Sequence, residues 1–532
     1  MKNLKCLLLL LPLLITGCGS RGDDINDSDV VEFTLFRYDI TNLKTAITTK
    51  SDIAQYVTNK FNLKVTVKNG DGQSWEDNLN LNIQTGRIPD LFVCYGPDRP
   101  KQYKKWVEQE ILLPISDYVS ETKHANIYKR LQDNPGPLSL SYCNGKQYSI
   151  PISTFGSDHA LYIRTDWLKN VNAKPKFDGE PNFTEDSNRF NLTGPKTMEE
   201  FYYVCKAFTE QDPDNNPNNA TYGFTTGEEN LWFTNFAFYA FDEGGFHDRI
   251  LDKSENVYVD SWIADGSKEA VRFYNKLYKE GLIDPEFIAN TNDDKVDKFI
   301  SGKAGIMMTN GISGYNYIYN QYEKVNHNHE FTFFAAPKGP TGLSGIRGSH
   351  DSYCYTAISS SVTANERERL LSLLDWMMSE EGEMIMTYGI KGVHYDEDAN
   401  GNIVSLLGKD ASGKSRTLSD VDYGSLFYSF VGLTESKIYP WSDNKEDLER
   451  MKTIIMGDRK LYTPLEFYDG NNILAIGQAL DEFAQTQYSL MIKDNGNFDA
   501  NWASFKNEYL TTYQGQKVQD EFNNAVNRLI NK

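Results

Sequence analysis

Between residues 31 and 95 the hydrophobic period changes repeatedly, and that alternation restricts the fold more than any other feature of the chain. Val31, Phe33 and Leu35 alternate as in a half-buried strand; Ile53, Ala54, Val57 and Phe61 recur at helical spacing; Leu63, Val65 and Val67 alternate again. Trp75 to Gln84 returns to the helical pattern, Gly86 stands where a helix would stop, and Asp90-Leu-Phe-Val-Cys-Tyr95 is a compact apolar strand. Strand, helix, strand, helix, strand admits few arrangements, because crossovers between parallel strands are right-handed and each helix must cover a sheet face. The expected class is α/β, a mostly parallel sheet flanked by helices. Such sheets bind ligands at the carboxyl ends of their strands, which here are Phe36-Arg-Tyr38-Asp39 and Tyr95-Gly-Pro-Asp98.

The remainder continues in α/β units. Asn144-Gly145 turns the chain before the apolar run Tyr148–Ile152, and Leu161–Leu168 follows a polar crossing segment. Ser267 to Glu280 is an amphipathic helix closed by Gly281, and Ile306–Thr309 is a strand ending at Asn310-Gly311. Thr363-Ala-Asn-Glu366 has the form of a capping box opening a helix whose apolar residues are Leu370, Leu371, Leu374, Met377 and Met378. Gly339–Gly348 reads as a flexible connection, with a strand only after it. No internal repeat interrupts the 532 residues, a length sufficient for several cores.

Residues 1–17 carry Lys2 and Lys5, an apolar run from Leu7 to Ile15 and then Thr16-Gly17-Cys18. This is the pattern of a lipoprotein signal peptide, with Cys18 as the lipidated first residue of the mature chain. Residues 19–29 are small, polar and acidic, a tether between lipid and body. Cleavage would take the formal net charge from −20 to −22, which disfavours nucleic acid as a partner. Cys94, Cys143, Cys205 and Cys354 are far apart, with no C-x-x-C pair, so they read as isolated core thiols.

Several segments then stand in a telling order. Gly86-Arg-Ile-Pro-Asp-Leu-Phe92, Asn144-Gly-Lys-Gln-Tyr-Ser-Ile-Pro151 and Leu161-Tyr-Ile-Arg-Thr-Asp-Trp-Leu168 are followed by Gly281-Leu-Ile-Asp-Pro285, Phe299–Ile306 and Trp376-Met-Met-Ser-Glu-Glu-Gly382. With these the chain resembles the extracellular solute-binding proteins of sugar importers, the maltose-binding type. Its length after Gly389 brings it closer to the long lipoprotein branch, similar to alginate-oligosaccharide-binding proteins. The resemblance implies a two-lobe, periplasmic-binding-protein-like fold with the ligand in the cleft. It places lobe 1 at 30–153 plus about 352–390 and lobe 2 at 154–351 plus about 391–532. It also implies a carbohydrate ligand, an ABC importer permease as partner, a monomer, and an extracytoplasmic position at the cell membrane or an outer membrane.

A sugar presents hydroxyls that need paired hydrogen bonds and apolar ring faces that stack on aromatics. The strand ends offer Tyr38, Asp39, Tyr95 and Asp98; the first crossing offers Phe155 and Asp158; Asn310, Gly311 and Tyr315 follow the strand at which the family makes its second-lobe contact. Trp232, Trp262 and Trp441 lie in polar, turn-rich surroundings as candidate stacking platforms. The long branch often carries a calcium loop where this chain has Asp212–Gly223. Asp212, Asp214 and Asn216 supply oxygens at alternating positions, and Asn218 a backbone carbonyl. Pro217, Ala220 and Thr221 depart from the pattern, so a metal-free loop is the preferred reading. His327-Asn-His329 has no third metal ligand nearby. No hydrolase elbow, zinc-protease or dinucleotide motif is present. No catalytic residue is implied; a lipid-anchored glycoside hydrolase and a peptide receptor of the same fold are the alternatives.

Overall fold

A computed structural model describes residues 29–38, 50–70, 75–95, 100–133, 141–152, 159–227, 231, 234–243, 249–252, 255–311, 314–315, 318–319, 321, 330–348, 354–399, 401, 403–409, 416, 418–421, 430–431, 445–461 and 471–530. The five N-terminal elements form as their periods predict: strand Val31–Tyr38, helix Asp52–Lys60, strand Leu63–Gly70, helix Trp75–Gln84 and strand Leu91–Tyr95. Ser51 caps the first helix by accepting the Ala54 N–H at 3.2 Å. Gly86 ends the second at φ 73°, a conformation that a side chain disfavours.

These strands open a five-stranded sheet in the order Leu63–Gly70, Val31–Tyr38, Leu91–Tyr95, Cys354–Ile358, Ser149–Pro151. Alternation sends Phe33, Leu35, Leu91 and Val93 to one face, where they pack with Ile53, Val57, Leu370, Leu371 and Leu374. Phe36, Phe92 and Cys94 go to the other, against Trp75, Leu79 and Trp106. Each fully buried leucine contributes about 1.5–3 kcal/mol relative to exposure. The helix Ala364–Met377 that supplies three of them starts with the expected capping box, Thr363 and Glu366 bonding reciprocally.

A second sheet has the order Phe331–Phe334, His159–Arg164, Ala304–Asn310, Tyr222–Thr225. One face buries Leu161, Ile163, Phe224, Ile306 and Met308 with helices that include Met198–Glu210, Asp265–Lys279 and Asn471–Lys493. The other buries Ala160, Tyr162, Met307 and Phe333 with Val296, Phe299 and Met451. The architecture is two-lobed α/β, each sheet with helical cover on both faces.

The expected parallel pairing holds for the first three strands, whereas Cys354–Ile358 and Ser149–Pro151 join antiparallel. In the second sheet a single pair, Ala304–Asn310 with Tyr222–Thr225, is parallel. A strand built through a helical crossover runs toward the ligand edge, but one entered directly from the other lobe starts at that edge and runs away from it. His159–Arg164 and Cys354–Ile358 are of the second kind.

Two local expectations change. Gly339–Gly348 contains a strand, Ile346–Gly348, paired in parallel with Arg459–Leu461. The return to the second lobe comes later than residue 391, because Phe430 and Val431 lie in the first core. Thr356 Oγ1 donates to the Phe430 carbonyl at 2.5 Å and Arg130 Nη1 to that of Val431 at 3.2 Å. From Lys445 the chain packs on the second sheet, through Met451 and Ile455. Cys94, Cys143, Cys205 and Cys354 are buried free thiols.

Candidate functional site

Strand register places one edge of each sheet at the ends of the crossing segments. In the first sheet Tyr38 lies opposite Gly70, Tyr95 opposite Cys354, and Tyr355 opposite Pro151. In the second, Asn310 lies opposite His159, and Thr225 and Phe334 close the same edge. Residues 153–158 join Ile152 to His159, and residues 349–353 join Gly348 to Cys354. Links of that length span at most about 25 Å, which keeps the two edges near one another, as at the cleft of a two-lobe fold.

The second edge is a layer of buried polar groups. Asn235 Nδ2 meets His159 Nδ1 at 2.9 Å, and Asn235 Oδ1 accepts the Arg347 N–H at 3.0 Å. Burial first, then the nearby cations Lys295 and Arg347, push the His159 imidazole down to about 3, so it is neutral near pH 7. Beside it Thr309 Oγ1 donates to Asn292 Oδ1 at 3.2 Å, while Asn290 Nδ2 donates to the Thr226 carbonyl at 2.9 Å and to Asp284 Oδ2 at 2.7 Å. Lys298 Nζ also reaches Asp284, at 2.9 Å. A fixed layer of this kind can present donors and acceptors to a polar solute without reorganising. Sequence reasoning missed it, since its members come from segments far apart and carry no motif.

Residues 45–384 match the family model for bacterial extracellular solute-binding proteins. The chain belongs to that family. It is 27% identical over 446 residues to lipoprotein LipO of Bacillus subtilis, covering 80% of each chain. It is 26% identical to the polygalacturonan/rhamnogalacturonan-binding protein YtcQ of the same organism, covering 60% of this chain and 59% of that one. In fold it is similar to the Streptococcus pneumoniae substrate-binding protein FusA in complex with kestose: TM-score 0.67, 18% identity, 94% of this chain and 100% of that one.

Within this solute-binding fold the sequence candidates separate. Tyr38 and Tyr95 end strands at the first edge, as expected. Asn310 ends its strand at the second edge and is half-buried. Asp39, Asp98, Phe155, Asp158, Trp232 and Trp441 lie outside the described residues, as do Cys18 and His327-Asn-His329. Gly311 is buried, its carbonyl accepting from Tyr162 Oη at 2.6 Å and from the Tyr315 N–H at 2.9 Å. Tyr315, the ligand-contact candidate after this strand, has its ring buried among Phe331 and Phe333, and its hydroxyl donates to Asp447 at 2.6 Å. Trp262 is likewise core, 1% exposed, with its indole N–H on Asp481 at 2.7 Å.

The loop at Asp212 does not fit a calcium shell. Asp212 Oδ1 and Asp214 Oδ1 both accept the Asn216 N–H, at 2.7 and 3.1 Å, the second as an Asx turn. Asn216 Oδ1 faces the Asn218 N–H at 3.3 Å. Asp214 Oδ2 accepts from Asn219, whose own Oδ1 takes the Lys303 ammonium at 2.5 Å. A calcium loop of this class closes with a bidentate carboxylate at its twelfth position. Counted from Asp212 that position is Gly223, where even a Cβ would stand 2.3 Å from Cys205 Cα. Among the described residues no group of three or more His, Cys, Asp or Glu is placed to hold a metal. A further similar structure is of a FusA EF-hand mutant in complex with fructo-nystose.

Proposed function

We propose that the protein captures a carbohydrate, an oligosaccharide, between the two sheet edges and delivers it to the permease of an ABC importer. The observation that carries this reading is the pair of facing strand edges joined by short crossings, one edge lined by a fixed polar layer. Support comes from the relatives, one described as polygalacturonan/rhamnogalacturonan-binding and one as a fructooligosaccharide ABC transporter substrate-binding protein.

The mechanism is binding by closure. Asn310, with Asp98 and Asp158, offers the donor-acceptor pairs that sugar hydroxyls require, and Tyr38, Tyr95, Phe155, Trp232 and Trp441 are the candidate stacking faces. Contacts from both lobes favour the closed state, and the permease reads the closed surface. A lipid on Cys18 would hold the protein to the outer side of the membrane. Among the described residues no helix is long and apolar enough to cross a membrane. No step needs a reacting side chain.

The test is incubation of the purified protein with a panel of oligosaccharides, followed by calorimetry and chromatography of the sugar. Binding at one ligand per chain with the sugar recovered intact is the expected result. Turnover would favour the hydrolase, and binding of peptides in place of sugars the peptide receptor.

A further inference from the structure

The strand that delivers Asn310 to the cleft is held at its end by a buried phenol. Tyr162 lies on the neighbouring strand opposite Met307, fully buried among Ala160, Val296, Phe299 and Phe333. Its hydroxyl stands 2.8 Å from the Asn310 carbonyl and 2.6 Å from that of Gly311. One phenolic proton thus serves two carbonyls. The same oxygen lies 3.9 Å from Met451 Sδ.

Met451 belongs to the helix Lys445–Asp458, the first described element after Phe430 and Val431 of the first core. That helix grips the Asn310 segment a second time. Tyr315, whose N–H donates to the Gly311 carbonyl at 2.9 Å, donates its hydroxyl to Asp447 at 2.6 Å. Arg450 pairs with Asp447 at 2.9 Å and lies 4.0 Å from the centre of the Phe333 ring. Gly314 allows the tight approach: a Cβ there would come within 3.1 Å of Thr309 Cγ2 and 3.5 Å of the Tyr162 hydroxyl.

We propose that Tyr162 is a positioning residue for ligand binding: it fixes Asn310-Gly311 against the helix on which the chain returns from the first lobe, so that the ligand contact and the relative position of the lobes are coupled. The inference rests on the reading that Asn310 meets a sugar in the cleft. A hydroxyl in an otherwise apolar pocket contributes to packing little that phenylalanine would not, and both of its partners at the strand end are carbonyls of the proposed ligand segment.

A double-mutant cycle tests it. Calorimetry with kestose, nystose, a galacturonate oligomer and maltotetraose as probes compares the parent, Tyr162→Phe, Asn310→Ala and the double variant. Tyr162→Phe is expected to weaken whichever probe the parent binds by roughly three- to tenfold. In the double variant that loss disappears, because Tyr162 acts through Asn310. Independent, additive losses would mean a merely structural tyrosine and overturn the inference while leaving carbohydrate binding in place. So would parental affinity in Asn310→Ala. A parent that binds no carbohydrate probe removes the functional reading and the inference with it. Should Tyr162→Phe be unfolded at the assay temperature, Asp447→Ala runs the same cycle with Asn310→Ala. The same non-additivity is expected there, and additivity overturns the coupling.

Discussion

Asp481, half-buried in the second lobe, accepts the indole N–H of Trp262 at 2.7 Å. Burial raises its pKa from an ordinary 3.8 to about 6, the Trp262 bond opposes the rise, Asp260 adds to it, and Arg249 and Arg347 again oppose it. A carboxyl whose pKa is raised on folding holds its proton better in the native state between pH 3.8 and 6. Its stabilising contribution is therefore present below about pH 4 and lost as the pH rises through 6. Asp481→Asn keeps an acceptor for Trp262 and removes the charge, so at pH 7.5 it should stabilise the protein by about 1–3 kcal/mol. The gain should vanish toward pH 4, as denaturant melts of both proteins at the two pH values would reveal. A variant no more stable than the parent at pH 7.5 would mean that Arg249 and Arg347 offset the burial. His159 has the opposite sign: with its pKa lowered to about 3, its contribution is present above about pH 6.5 and is lost as the pH falls toward 3.

For single elements, the loop Asp212–Gly223 gives the sharpest expectation. Its oxygens face its own amides and its twelfth position has no room for a ligand. Adding calcium or a chelator should thus leave the melting temperature unchanged, since only a metal bound by the native state would shift it. A rise with calcium would contradict the geometry. Gly223→Ala should cost about 1–3 kcal/mol, because its Cβ meets the Cys205 backbone, which cannot swing aside. Features of this local kind were readable beforehand. The alternating periods of 31–95 and the box at Thr363 depend on neighbours within one turn or one pleat, and the structure has them where the sequence puts them. What depended on distant partners was not readable. Ile346–Gly348 is a strand only because Arg459–Leu461 lies beside it. An aromatic placed after a strand looks the same whether it faces a cleft or, like Tyr315, a core. The polar layer of His159, Asn235 and Arg347 draws on three segments, and the stay of Phe430 and Val431 in the first core is decided by packing rather than pattern.

At the scale of the whole molecule two proposals meet, the anchor and the closure. Cys18→Ala should abolish labelling by a fatty acid and leave the protein unprocessed or released; label retained by the variant would remove the anchor. Closure is the stronger commitment. A ligand shifts an open–closed equilibrium only by its difference in affinity for the two states, and here that difference must come from contacts on both edges. Asn310 belongs to the second edge, and Asp98 follows the strand that ends at the first. Replacing either by alanine should barely change stability, because a cleft residue outside the apolar cores buries little. Affinity should fall by roughly 1–3 kcal/mol when a polar partner of a bound hydroxyl is removed. The ligand concentration at which the molecule becomes compact, followed by small-angle scattering, should rise by the same factor as the dissociation constant, for both variants alike. If only one variant shifts, the ligand sits on one lobe and closure draws nothing from the other. If affinity falls while compaction occurs at the parental concentration, binding and closure are separate events, and the facing edges would serve as a fixed groove rather than a hinge.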